Sequence, residues 1–143
     1  MKIGIFLPNW LGDVVMATPM LRAMRRHFGN DVRLIGIMRP HLADVLVGTR
    51  WLDEQWYFNP RAGDQDVRSW ALIRKMRREQ LDVALLMPNS FRTAVMARLG
   101  GAKERVGYPR CGRGPLLTRR VASPHTHGLA TPCPMVDLFL KLS

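Results

Sequence analysis

One carboxylate in this chain stands where an open α/β protein usually does its chemistry. After the apolar run Ile3 to Leu7 the chain turns through Pro8-Asn9-Trp10-Leu11-Gly12-Asp13, and an amphipathic pattern begins at Asp13. A strand that hands over to a helix in this way puts Asp13 at a helix N-terminus. That position lies just past the carboxyl end of a strand, where open α/β sheets bind ligands. A lone carboxylate there has two uses. It can cap the helix, stabilised by the free N–H groups and the dipole, or it can take a proton from a hydroxyl as general base. Gly12 permits a tight turn and close ligand approach. Trp10 and Leu11 have side chains that can touch a ligand or lipid, although packing within the domain is the plainer expectation. The turn holds no GxGxxG, so the dinucleotide fingerprint is absent.

Other polar residues fall just past strand ends. Arg61 follows a weak strand pattern at Gln55 to Phe58, and Asn89, Ser90 and Arg92 follow the apolar run Val83 to Met87. Arg110, Arg113, Arg119 and Arg120 lie in a long irregular stretch that could close over an anionic group. Guanidinium forks match carboxylate and phosphate geometry. Any one of these arginines, and the run Arg74 to Arg78, is equally readable as a solvated surface charge. Asn89 is also a turn former. His41, His125 and His127 form no metal-ligand set.

The elements that position these residues follow from hydrophobic periodicity. Ile3 to Leu7, Val32 to Met38 and Val83 to Met87 are near-continuous apolar runs, the pattern of strands covered on both faces. Helices are predicted between them. The first runs from Asp13 to Phe28 with Val14, Ala17, Thr18, Leu21, Met24 and Phe28 on one face, and Gly29-Asn30 stops it. Others span Pro40 to Val47, Asp66 to Gln80 with Trp70, Ile73 and Met76 inward, and Phe91 to Leu99, closed by Gly100-Gly101. A further short strand is expected near Arg105 to Tyr108. The alternation implies a Rossmann-like open α/β sheet, mainly parallel, with helices on both faces. Cys111 to Pro134 shows no period and reads as a functional loop; Pro134 to Leu142 starts another helical pattern.

The bulk numbers bound the rest. A chain of 143 residues is one domain, long enough for its own core. Lys and Arg number 22 against 11 Asp and Glu, a formal charge of +11 that points to anionic partners. Cys111 and Cys133 lack metal or disulfide spacing and suit a reducing cytoplasm. No signal peptide pattern and no apolar run of membrane-spanning length is visible.

Four segments, in order, resemble one family. Asn9-Trp10-Leu11-Gly12-Asp13-Val14-Val15-Met16-Ala17-Thr18-Pro19 resembles the opening motif of the heptosyltransferases of lipopolysaccharide core synthesis, glycosyltransferase family 9. Leu86-Met87-Pro88-Asn89-Ser90-Phe91-Arg92-Thr93-Ala94 resembles the family's fourth strand and turn. Gly101 to Tyr108 resembles its Arg-x-Gly-Tyr strand, and Pro134 to Leu142 the helix that closes its first domain. The fit is nearest to the heptosyltransferase II branch.

The resemblance implies the N-terminal, acceptor-binding domain of a GT-B glycosyltransferase over residues 1–143, with the C-terminal donor-binding domain outside this chain. It implies an inverting transfer of heptose from ADP-heptose to the inner core of lipopolysaccharide, a Kdo- and heptose-bearing lipid A. No tightly bound metal or cofactor is expected, and Asp13 is expected to be the base. Trp10, Gly12, Arg61, Asn89, Ser90, Arg92, Arg110, Arg113, Arg119 and Arg120 are the expected acceptor-binding residues. The domain alone is expected to be inactive, and the protein to be cytoplasmic and peripheral at an anionic membrane surface.

Three rival readings differ in class. A nucleic-acid-binding domain would explain the charge, but no helix-turn-helix, RNP or zinc-finger pattern is present, and no nucleic acid is expected. A phospho-receiver-like module needs acidic residues after the first strand, where this chain has Pro8-Asn9. A related glycosyltransferase could use another nucleotide sugar.

Overall fold

The computed structural model describes residues 1–59, 69–88, 90–107 and 114–120. Six strands form one sheet: β1 (Lys2–Phe6), β2 (Arg33–Met38), β3 (Glu54–Tyr57), β4 (Val83–Leu86), β5 (Glu104–Gly107) and β6 (Arg119–Arg120). Every pairing is parallel, and the order is β3-β2-β1-β4-β5-β6. This is the doubly wound order, in which successive strands are added outward on one side of β1 and then on the other.

Each face of the sheet buries its own apolar set, which is why the central strands read as continuous apolar runs. On one face Ile3, Ile5, Leu7 and Leu34 pack with Met20, Leu21 and Met24 of α1 (Leu11–Phe28) and with Leu46 of a 3-10 helix, Pro40–Leu46. On the other, Phe6, Ile35, Ile37 and Leu86 pack with Leu72, Ile73 and Met76 of α2 (Ser69–Glu79) and with Ala94 and Met96 of α3 (Phe91–Leu99). Gly4 is required by this second core: a Cβ there would come within 2.6 Å of Leu81 Cδ1.

α1 starts two residues before the expected Asp13 and ends as predicted, with Gly29 at φ +59°. The helix runs through Pro19, which has no N–H to give the Val15 carbonyl. The Thr18 hydroxyl donates to that carbonyl instead, at 2.7 Å. The segment predicted as Pro40 to Val47 forms, but as a tighter 3-10 helix. α3 has the predicted bounds.

Two expectations need correction. Trp70 does not face inward: it is 72% exposed, and Leu72 fills the core beside Ile73 and Met76. Successive positions three apart drift by about 60° round a helix, so Trp70 stands about 120° from Met76 and leaves the apolar stripe. The stretch expected to be a loop from Cys111 onward contains ordered structure. A 3-10 turn at Gly114–Leu116 leads to β6, anchored by buried Leu117 and by the Thr118 N–H donating to the Arg105 carbonyl at 3.0 Å. Asp66, the cysteines, His125, His127 and the helix expected at Pro134 to Leu142 lie outside the described residues.

Candidate functional site

The parallel register brings all the strand carboxyl ends to one ledge. Phe6 is level with Ile37 and Leu86, Met38 with Tyr57, and Gly107 with both Leu86 and Arg120. β1 and β4 are neighbours here, and the connections leaving them go to opposite faces, so a crevice opens beyond Phe6 and Leu86. α1 begins on one side of it and α3 on the other. Neither helix has a side-chain cap: Trp10 and Ser90 occupy the N-cap positions without a capping hydrogen bond. The first-turn N–H groups and the positive ends of both helix dipoles therefore remain available to an anion.

Asp13 lies in the first turn of α1. Its carboxylate is exposed, and among the described residues it accepts no hydrogen bond and joins no ion pair. It makes no capping bond to a first-turn N–H among the described residues, and its first-turn position leaves only the dipole interaction of the helix-end role. Next to it, Gly12 is helical, with no positive φ, so the turn itself does not call for glycine. A Cβ at Gly12 would meet nothing within 4 Å, which leaves open approach as the property glycine supplies.

Trp10 and Leu11 contradict the expectation that they pack within the domain. They are 76% and 57% exposed, because the chain has already passed the end of β1 and no core lies beneath them. Across the crevice, Ser90 is half-buried and Arg92 is exposed in the first turn of α3. β4 is one strand from β1, so the two helix starts are separated laterally by about 5 Å of sheet. Arg61, Asn89, Arg110 and Arg113 lie outside the described residues.

Arg119 and Arg120 are placed differently from the expectation of a closing loop. They form β6, three strands from β1, about 14 Å along the ledge. Arg119 Nε is paired with Glu104 Oε2 at 3.4 Å, and Arg120 Nε donates to the Gly114 carbonyl at 3.2 Å. Both are held by local partners.

One cation on the ledge escaped the sequence reading. Arg39, just past β2, donates from Nε to Asn9 Oδ1 at 3.2 Å and so ties the turn that carries Asp13 to the next strand. A cation between an apolar strand and Pro40 was the available signal. No group of three or more His, Cys, Asp or Glu that could hold a metal ion occurs among the described residues. No helix among them is long and apolar enough to cross a membrane.

Residues 69–138 match the family described as glycosyltransferase family 9 (heptosyltransferase). A 30-residue segment is 63% identical to lipooligosaccharide heptosyltransferase 2 of Campylobacter jejuni subsp. jejuni serotype O:6, covering 21% of this chain and 10% of that protein. Among solved structures, the fold is similar to E. coli ADP-heptose LPS heptosyltransferase II, with TM-score 0.75 and 22% identity over 99% of this chain and 40% of that one. A glycosyl transferase family 9 protein from Veillonella parvula DSM 2008 gives TM-score 0.74 and 18% identity, over 99% and 41%. E. coli heptosyltransferase WaaC with ADP gives 0.75 and 12%, over 99% and 47%. This chain thus spans less than half the length of each of these relatives. The four resembling segments, the family match over residues 69–138 and the shared doubly wound fold make this chain similar to glycosyltransferase family 9, the heptosyltransferase family.

Proposed function

We propose that this domain binds the acceptor in an inverting transfer of heptose from ADP-heptose to the inner core of lipopolysaccharide, with Asp13 as the general base. The observation that carries the reading is the exposed Asp13 carboxylate, unpartnered among the described residues, at the mouth of the β1–β4 crevice. In such a transfer the acceptor hydroxyl oxygen forms a bond to the donor anomeric carbon. The bond from that carbon to the ADP phosphate oxygen breaks on the opposite face, and ADP leaves with the electron pair. The acceptor proton passes to Asp13. A single base facing the acceptor suffices for inversion, as in inverting glycosidases where water takes the acceptor's place.

The two helix N-termini, Arg92 and Arg39 supply N–H donors and positive charge for the acidic sugars and phosphates of the acceptor. Trp10 supplies a flat apolar face for a sugar ring or lipid. The donor is held by a second domain of the GT-B pair, so the 143-residue chain alone is expected to bind acceptor without turnover. With a net charge of +11 and a lipid-anchored acceptor, the protein acts at the cytoplasmic, anionic face of a membrane as a peripheral enzyme.

The test joins this domain to a donor-binding domain and measures ADP release from ADP-heptose with a heptose-deficient core acceptor. Acceptor-dependent release that disappears in Asp13→Asn supports donor, acceptor and base together. Release unchanged in the variant removes Asp13 from the mechanism; no release from a folded two-domain protein rejects ADP-heptose as donor.

A further inference from the structure

The two helices on one face of the sheet carry charge of nearly a single sign. α2 contains Arg74, Lys75, Arg77 and Arg78, and α3 contains Arg92 and Arg98. The one acid on either helix is Glu79, and it is already paired with Lys2 Nζ at 3.1 Å. None of these arginines has a carboxylate partner among the described residues. They are also arranged on one side: Trp70, Arg74, Arg77 and Arg78 share the outer strip of α2 at helical spacing, opposite buried Leu72, Ile73 and Met76. On α3, Phe91, Arg98 and Leu99 share the outer strip, and all are exposed. The helices pack side by side, and Arg77 Nε donates to the Leu99 carbonyl at 2.6 Å, so the two strips form one continuous surface.

The aromatic residues add direction. Trp70 is 72% exposed and Phe91 is 51% exposed, each at the start of its helix. Helices of a parallel α/β unit start at the carboxyl ends of the strands, so both rings sit at the ledge that holds the crevice. Arginines in the body with aromatics at one margin are the composition of a helix surface that lies in a lipid interface, where guanidinium groups meet headgroup phosphates and aromatic rings enter the headgroup layer. A nucleic-acid groove would place its aromatics between the cations for base stacking, an interleaving absent here.

We propose that the outer surface of α2 and α3 docks on an anionic lipid bilayer, with Trp70 and Phe91 entering the headgroup layer beside the crevice. A lipid-anchored acceptor would then meet the ledge without leaving the membrane. The inference rests on the peripheral membrane association proposed above and names the surface that makes it.

The test is co-sedimentation of the full chain with phosphatidylcholine vesicles that either contain or lack phosphatidylglycerol. Each arginine near an anionic surface contributes about fivefold in partition. The triple variant Arg74→Gln, Arg78→Gln, Arg98→Gln is therefore expected to bind phosphatidylglycerol vesicles about a hundredfold less. Trp70→Ala is expected to weaken binding further and to leave the circular dichroism spectrum unchanged. A charge-matched control, Arg22→Gln, Arg26→Gln, Arg50→Gln, removes exposed cations that lie off α2 and α3 and should bind clearly better than the first triple variant. Equal loss in the two triple variants overturns the surface in favour of net charge while membrane association stands. No binding of the unaltered chain to phosphatidylglycerol vesicles overturns membrane association itself. Binding of duplex DNA tighter than vesicles, lost in the α2–α3 variant, reassigns the surface to nucleic acid.

Discussion

The two ends of the sheet treat their charges in opposite ways. At the amino ends of the strands, carboxylates are tied: Asp82 to Lys103 at 3.0 Å and to the Lys2 N–H at 2.8 Å, Glu79 to Lys2, Glu54 to Arg33, and Glu104 to Arg119. Asp53 also accepts twice, from Arg25 Nη2 at 2.6 Å and from the Leu34 N–H at 2.7 Å, so that it joins α1, β2 and the entry to β3. At the carboxyl ends, Asp13 has no such partner among the described residues, and Trp10, Leu11 and Phe91 stand exposed. A network of paired charges stabilises one end; at the other, among the described residues, the Asp13 carboxylate is left open for a ligand.

This contrast separates activity from stability, and substitutions can break it. The largest effect is expected from Asp13→Asn on the two-domain protein: transfer falls by about 10²- to 10⁴-fold, the range of a lost general base, while the melting temperature holds. Rates near normal would show that the free carboxylate is not the base. At the opposite end, Asp53→Asn should cost about 1–2 kcal/mol, with the exposed part of its ion pair discounted, and leave turnover per folded molecule unchanged. Urea titration read beside the transfer assay checks both halves of that statement.

Acid should weaken the amino end. At Asp53 burial works to raise the carboxyl, but the Arg25 and Leu34 bonds and the charges of Arg25 and Arg33 outweigh it and hold it below its ordinary value. The Lys2 N–H and Lys103 do the same for Asp82, and Lys2 for Glu79. Carboxyls lowered on folding stabilise the native state above their unfolded values of 3.8 and 4.5, and that stability is lost as pH falls through the lowered folded values. Denaturant midpoints should thus be flat above about pH 5 and decline below about pH 4, with a shallower decline in Asp53→Asn. The smallest effect is expected from Gly12→Ala: stability unchanged or raised by less than about 1 kcal/mol, with acceptor affinity reduced because the added methyl occupies the approach. Unaltered affinity would place the acceptor away from α1.

Most of the sheet was legible because burial on both faces writes strands as unbroken apolar runs, as in Ile3 to Leu7 and Val83 to Met87. β6 was not, since a two-residue strand of arginines has neither period nor apolar content; buried Leu117 and the Thr118 bond to Arg105 set its place. Trp70 and Trp10 were misplaced for a shared reason. Both are large apolar residues at the start of a helix, beyond the margin of the core, where helical periodicity continues and the packing partner does not. At the site, Asp13 was visible through a strand-to-helix handover, whereas the Arg39–Asn9 bond joins residues 30 apart and depends on β1 and β2 being neighbours.

The proline in α1 has a mechanical consequence. Because Pro19 cannot complete the backbone rung to Val15, the first two turns are joined to the rest of the helix through one fewer main-chain bond, with the Thr18 hydroxyl occupying the vacant acceptor. Those two turns contain Asp13. The segment holding the carboxylate is thus fixed less by the helix ladder than by its buried face, where Val14 and Ala17 are covered.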